Sequence, residues 1–281
     1  MEKVALVTGC SSGIGYTTAL DLARKGYFTY ASVRNLDSGQ ILQTEAQKEN
    51  LNLKIIEIDI TKEETIKKAI NEIELEKGRI DVLVNNAGYG MMGSIEDLSI
   101  DEIKEALETD FFGHVRMIKS VIPMMRKNGG GRIINISSIS GKMGFGFSSP
   151  YTCSKFALEG LSECIRMELM PFGIITTIIE PGVVKTKFHE KMKFASNSKN
   201  SQHYGKIMES MSKQSKKLFE MGIDPKEVSQ KIIESIDTKN PQVRYTVGPD
   251  SSLMMEERRR KSDLEFEKYM NEMFSALMSN P

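Results

Sequence analysis

Seven short runs rich in Val, Ile, Thr, Phe and Tyr recur along this chain, most of them separated by enough sequence for a helix. They read "KVALVT" (3–8), "FTYASV" (28–33), "LKIIEI" (53–58), "DVLVNN" (81–86), "RIINIS" (132–137), "ITTIIE" (175–180) and "VRYTVG" (243–248). Several are apolar at consecutive positions, as strands covered on both faces must be. The intervening stretches are helical in pattern. Ile14 to Lys25 is closed by Gly26, and Lys62 to Lys77 by Gly78, glycine being the residue that ends helices without strain. Thr61 with Glu64 three residues on reads as a capping box for the second of these. Strand–helix alternation over about 250 residues points to the α/β class, with a doubly wound parallel sheet and helices on both faces.

The loop after the first run, "LVTGCSSGIG", spaces Gly9, Gly13 and Gly15 between a strand and an amphipathic helix. Glycines there permit a tight turn and close approach of a phosphate, and the helix start offers free N–H groups to an anion. The second strand ends "ASVRN", with no carboxylate before Asp37. An acidic residue at that strand end would bind the ribose hydroxyls of NAD. Arg34 stands there instead and could pair with a 2′-phosphate, with Ser11 and Ser12 adding hydroxyls. This favours NADP(H) over NAD(H). Asp59 ends the third strand, and Asn85, Asn86 and Gly88 end the fourth in "NNAGYG", at the carboxyl edge where open sheets bind ligands.

Tyr151 and Lys155 lie four apart in "PYTCSKF", behind Pro150, which suits the first turn of a helix. They therefore share one helix face. Ser138 follows the fifth strand, thirteen residues upstream. A cationic Lys155 is expected to lower the pKa of Tyr151, so that Tyr151 exchanges a proton with a substrate oxygen that Ser138 orients.

The ordered set "TGCSSGIG", "NNAG", "ISS", "YTCSK" and "EPGVVKT" resembles the short-chain dehydrogenase/reductase family over about residues 1 to 250. The resemblance implies a single Rossmann-type catalytic domain with a seven-stranded parallel sheet, acting as an NAD(P)-linked oxidoreductase on alcohols or carbonyls. Ser138, Tyr151 and Lys155 match the family's catalytic positions, the lysine also holding the nicotinamide ribose. Ile14 continues the phosphate loop. Asp59 and Ile60 match the stretch beside the adenine, and Asn86, Ala87 and Gly88 the stretch under its ribose. Pro181, Gly182 and Thr186 match the segment lining the nicotinamide, with Val184 offering its backbone amide to the carboxamide. Asp110, in "TDFFGHVRM", occupies a position where the family commonly has an asparagine serving a proton relay. Asp is acceptor-only when ionised, and here it is expected to strengthen the Lys155 cation. The motifs look like the branch containing hydroxysteroid and retinol dehydrogenases, which implies an apolar alcohol or ketone.

Met91, Met92, Met143, Phe145 and Phe147 flank the motifs as a candidate adaptable apolar wall. The stretch from about Phe188 to Met221 falls where the family has its substrate lid, and its polar centre, Phe194 to Lys206, reads as a mobile surface segment. Residues 251–281 form a helical extension, where Phe266, Met270, Met273, Phe274 and Leu277 follow helical spacing and imply docking on the chain's own body or on a partner. The resemblance further suggests a homodimer or homotetramer through helices at about 101–127 and 151–171. Lys plus Arg equals Asp plus Glu at 38 each, which gives no field favouring nucleic acid. No run reaches the roughly 18 apolar residues of a membrane span. Three scattered cysteines suggest reduced thiols and a cytoplasmic location, and the scattered histidines and cysteines offer no metal-ligand spacing. A protein that binds NADP(H) as a sensor with little turnover is the alternative; the intact Ser138, Tyr151 and Lys155 speak against it.

Overall fold

The computed structural model describes residues 2–279. In chain order the elements are β1 (Val4–Val7), α1 (Gly13–Arg24), β2 (Phe28–Val33), α2 (Gln40–Lys48), β3 (Leu53–Glu57), α3 (Glu63–Lys77), β4 (Val82–Asn85) and β5 (Met91–Met92). They continue with α4 (Ile100–Leu107), α5 (His114–Lys127), β6 (Gly131–Ile136), α6 (Ser149–Leu169), β7 (Ile174–Pro181) and β8 (Lys193–Phe194). The remainder is α7 (Gly205–Glu220), α8 (Pro225–Asp237), β9 (Arg244–Val247), α9 (Pro249–Arg260) and α10 (Asp263–Ser279). All seven runs read from the sequence form the main sheet, in the order β3-β2-β1-β4-β6-β7-β9, every pair parallel.

Side-chain alternation divides each strand between two cores. In β1, Ala5 and Val7 face α1, α2 and α8, where Leu20, Leu42 and Ile232 close one layer. Val4 and Leu6 face α3, α5 and α6, against Ile70, Met117 and Ile165. Both faces are therefore covered, the physical reason that the central strands read as unbroken apolar runs. The chain turns outward in opposite directions from β1 and β4, so a crevice opens between the loops at their carboxyl ends.

Three local expectations are corrected. Thr61 does not cap α3: the N-cap is Lys62, with no side-chain cap, because the Thr61 hydroxyl donates to Asp59 Oδ1 at 2.7 Å. The segment from Phe194 to Lys206 does not lie wholly at the surface. Its start pairs with β5, and Ala195 and Ser198 are buried, Ala195 beside Met91 and Leu98. Asn85 points away from the crevice. It donates to Asn135 Oδ1 at 2.9 Å, and Asn135 donates to Ser162 Oγ at 2.8 Å, tying β4 and β6 to α6 within the core.

The expected helix at 101–127 is present with an interruption. Between α4 and α5, Glu108–Gly113 forms a π-helical turn. Such a turn inserts one residue and shifts the faces that follow. α10 docks on its own chain: Phe266 is buried among Met143, Met254 and Met255, and Phe274 stacks on Phe147 at 5.8 Å. The side chain of Leu277, and residues 280 and 281, lie outside the described residues.

Asn135 is the middle link of a buried polar chain, and truncating it strands a donor of Asn85 and removes the donor to Ser162 Oγ, whose own hydroxyl keeps its bond to Leu158 O. Asn135→Ala should destabilise the protein by about 2–3 kcal/mol. Urea denaturation checks this; an unshifted midpoint would show that the chain of amides contributes nothing to stability.

Candidate active site

The crevice is a cavity of about 1130 Å³. It runs from Arg34 and the glycine loop at one end, past Asn86–Gly88 and Tyr151, to Phe274 at the other. The glycine loop fits a phosphate for steric reasons that can be read atom by atom. Gly9 and Gly13 have φ of +75° and +65°. A Cβ on Gly9 would lie 2.8 Å from Ala87 Cα, and one on Gly13 would lie 2.9 Å from Thr186 Cγ2. A Cβ on Gly15 would lie 2.5 Å from Asn86 Nδ2. Ser12 is the extended N-cap of α1 and has no side-chain capping bond, so the first N–H groups of α1 face the cavity with an anion as their natural partner. The donor set and the bare backbone suit a dinucleotide phosphate.

Asn86 supports that loop. Its Nδ2 donates to Thr8 O at 2.9 Å and Gly9 O at 3.3 Å, while Thr8 Oγ1 accepts from Asn86 N and Ala87 N at 2.9 and 3.1 Å. Asp59 Oδ1 accepts from Thr61 N and Oγ1. Burial works against its charge, but those bonds and the Lys62 and Arg34 cations hold its carboxyl below the usual range. Arg34 is exposed at the rim, and Ile14 and Ile60 line the cavity with Ala87 and Gly88. On the far wall stand Pro181, Gly182, Val184 and Thr186. A side chain on Gly182 would collide with the Asp250 carboxylate, which accepts from Val183 N at 2.7 Å. Val184 bridges Ile223 through the backbone of its neighbours Val183 and Lys185. Alternation along an extended chain leaves the peptide groups of Val184 itself for the opposite side.

At the reacting end, Pro150 lies in the first turn of α6 and sets Tyr151 at the cavity wall. The Ser138 hydroxyl lies near enough to Tyr151 to lower the pKa of its phenol. Ser138 Oγ accepts from Ser140 N at 3.1 Å, which fixes the serine rotamer. Lys155 is buried; its Nζ donates to Ile136 O at 3.0 Å and sits 5.4 Å from the centre of the Tyr151 ring. Burial lowers the Lys155 pKa, and the Asp110 and Glu159 carboxylates oppose that fall. The structure corrects the expected direction for Tyr151. Burial pushes its phenol up, the Asp110 charge pushes it further, and the Ser138 hydroxyl draws it down. The net direction is upward, so the resting group is a neutral phenol, which can donate a proton.

The π-helical turn brings Asp110 and His114 against the end of β4. Asp110 Oδ1 accepts from Tyr89 N at 3.0 Å, and His114 Nε2–H donates to Ala87 O at 2.7 Å. Both side chains are fully buried. Burial raises the Asp110 pKa to about 7 against the opposing pull of Lys155 and the Tyr89 N–H. Burial and the Lys155 charge lower that of His114 to about 3, so the imidazole is neutral.

Several residues at the site went unread in the sequence. His114 showed only as a scattered histidine. Phe188 meets the Tyr151 ring edge-on at 5.9 Å, and Lys191 reaches the glycine loop. Met270 and Phe274 bring the C-terminal extension into the cavity wall. Of the five residues proposed as an apolar wall, Met92, Phe145 and Phe147 line the cavity, whereas Met91 and Met143 are buried in separate packing clusters.

A family model described as short chain dehydrogenase matches residues 3–197. The chain is 35% identical over 248 residues to 3-ketodihydrosphingosine reductase of Bacteroides thetaiotaomicron, covering 88% of each protein. It is 35% identical to human retinol dehydrogenase 8, covering 86% of this chain and 80% of that protein. Among solved structures, an actinorhodin polyketide ketoreductase variant with NADPH superposes with a TM-score of 0.72. It shares 26% identity, and the match covers 90% of this chain and 92% of that one.

Ionised Asp110 raises the pKa of both Tyr151 and Lys155. Asp110→Asn keeps an acceptor for Tyr89 N–H and removes the charge. For alcohol oxidation with Tyr151 as the base, the limb of activity that rises with pH should therefore move to lower pH. Below about pH 7, where Asp110 is itself neutral, variant and parent should converge. A pH–rate profile tests this, and superimposable profiles would remove Asp110 from the proton chemistry.

Proposed function

The chain belongs to the short-chain dehydrogenase family, oxidoreductases acting on CH–OH and C=O groups, and we propose that it interconverts an apolar ketone or aldehyde with its alcohol using NADP(H). The observation that carries this reading is a single cavity holding both requirements. A bare glycine cradle with Arg34 at the rim lies at one end, and Ser138, Tyr151 and Lys155 converge farther along. Gly9, Ser11, Ser12, Gly13, Ile14 and Gly15 would hold the pyrophosphate, and Arg34 the 2′-phosphate. Asp59, Ile60, Asn86, Ala87 and Gly88 would hold the adenosine. Pro181, Gly182, Val184, Thr186 and Lys155 would hold the nicotinamide end. The likeness to a ketoreductase structure containing NADPH supports the choice of cofactor.

When bound, a nicotinamide cofactor would supply or take up the hydride at the substrate carbon. In reduction, the neutral Tyr151 phenol gives its proton to the carbonyl oxygen as charge builds there. Ser138 orients that oxygen through its hydroxyl. Lys155, held by Ile136 O, provides the positive charge that stabilises the tyrosinate left behind. Asp110, buried beside this pair, holds or releases a proton near neutral pH and thereby sets how readily the tyrosinate is reprotonated. Oxidation runs the same transfers in reverse.

The outer part of the cavity is walled by Met92, Phe147, Phe188, Met211, Phe219 and Phe274. Thioethers and aromatic rings suit a flexible apolar substrate, and a relative named for a sphingoid ketone points the same way. We read residues 188–221 as a lid and α10 as a second wall, within one catalytic domain. Exposed Phe112 on the π-helical turn and Phe156 and Met167 on α6 support a homodimer through these helices.

Tyr151→Phe should retain NADPH binding and reduce turnover of an apolar ketone by about 10²–10⁴-fold. Cofactor titration and steady-state rates on a panel of long-chain ketones, retinal and steroids measure both. A variant that turns over like the parent would rule out Tyr151 as the proton donor. A parent that binds NADPH but turns over nothing would favour a sensor.

A further inference from the structure

Lys191 ends a short 3₁₀ turn, His189–Lys191, in the segment that follows the cofactor wall. Its ammonium crosses the cavity mouth and donates to Ser11 Oγ at 3.1 Å and Ser12 Oγ at 3.0 Å. These are neutral acceptors, and among the described residues Lys191 makes no ion pair. Lys191 is exposed as a residue, but partial desolvation of its ammonium lowers the pKa, and the charges of Arg34 and Lys187 lower it further. Glu190 beside Lys191 and Asp59 beside Arg34 offset part of this positive field. Cations gathered at one rim repel one another, and an anion placed between them relieves that cost. Arg34 belongs to this cluster, which locates the anion at the strand end that distinguishes the two dinucleotides.

The same turn reaches the reacting end. Phe188, three residues before Lys191, covers the Tyr151 ring edge-on and lies 5.9 Å from Phe219 of α7. His189 stacks on Phe219 at 5.8 Å. One short turn thus links a cation over the glycine loop to an aromatic cover over Tyr151.

We propose that Lys191 is a ligand for the 2′-phosphate of NADP(H), carried on the lid, so that binding this phosphate holds Phe188 over Tyr151. The inference rests on the NADP(H) oxidoreductase reading and names a specificity residue beyond Arg34. The ammonium exchanges its two serine acceptors for the charged phosphate while the serines remain as further donors to it. Loss of the charge should be felt by a phosphorylated ribose and by little else in the cofactor.

The test is fluorescence titration of NADPH and NADH with the parent, Lys191→Gln and Lys191→Arg proteins, with 2′,5′-ADP and 5′-ADP as competitors. Lys191→Gln should weaken NADPH and 2′,5′-ADP about tenfold, the size of one charge-assisted hydrogen bond at a partly hydrated site, and leave NADH and 5′-ADP within about twofold. Lys191→Arg should restore most of the loss. Hydrogen exchange supplies the second readout: NADPH should protect residues 186–192 more than NADH does, and the difference should vanish in Lys191→Gln. Equal weakening of NADPH and NADH would place Lys191 on the pyrophosphate and overturn the assignment, as would unchanged NADPH affinity. A parent protein that prefers NADH would instead sink the underlying NADP(H) reading, a result distinct from either.

Discussion

The peptide from Asn86 to Tyr89 is the piece of backbone on which the site depends. Thr8 takes two of its N–H groups, and the Asn86 amide returns bonds to the carbonyls of Thr8 and Gly9. From the other side, His114 donates to Ala87 O and Asp110 accepts from Tyr89 N. A strand end that would otherwise expose unpaired polar groups is thereby clamped by two elements distant in sequence. The clamp sets how closely the glycine loop approaches, because Gly9 and Gly15 both rest against it. It also seats Asp110 near Lys155. The glycine loop and the Tyr151–Lys155 pair thus share one support.

The electrostatics of the reacting end follow from burial. Lys155, Asp110 and His114 are all shielded from water, and for each of them desolvation is the largest influence on its titration. Opposite charges then stabilise one another in a medium where each alone would be costly. A neutral phenol at rest, with a cation held beneath its ring by a backbone carbonyl, is the arrangement that a donor of protons to a carbonyl requires. The placement is economical in chain terms. Tyr151 and Lys155 occupy one turn of α6, and Ser138 lies at the end of the strand that packs beneath it.

Much of the fold was legible because parallel strands buried on both faces leave a signal in composition alone. The seven apolar runs are the seven strands of the main sheet. Gly26 and Gly78 end their helices at positive φ. The misreadings have specific causes. Thr61 looked like a helix cap, but an acceptor two residues back competed for its hydroxyl. Asn85 and Asn86 are adjacent and chemically alike, and strand alternation sends one into the core and the other to the crevice. Residues 194–206 looked like surface because their polarity hides two buried positions and a strand pair with Met91–Met92.

By itself, the sequence determined the strand count, the glycine loop, the arginine where an acidic residue would select NAD, and the spacing of Ser138, Tyr151 and Lys155. These are local matters of backbone freedom, side-chain period and short-range geometry. Tertiary structure decided which way Tyr151 titrates, since desolvation is set by what packs around a group rather than by its neighbour on the helix. It decided that a π-helical turn presents Asp110 and His114 to the same peptide. It also brought Lys191 across to Ser11 and Ser12 and Phe274 onto Phe147, contacts spanning more than a hundred residues of chain, which no pattern along the sequence can express.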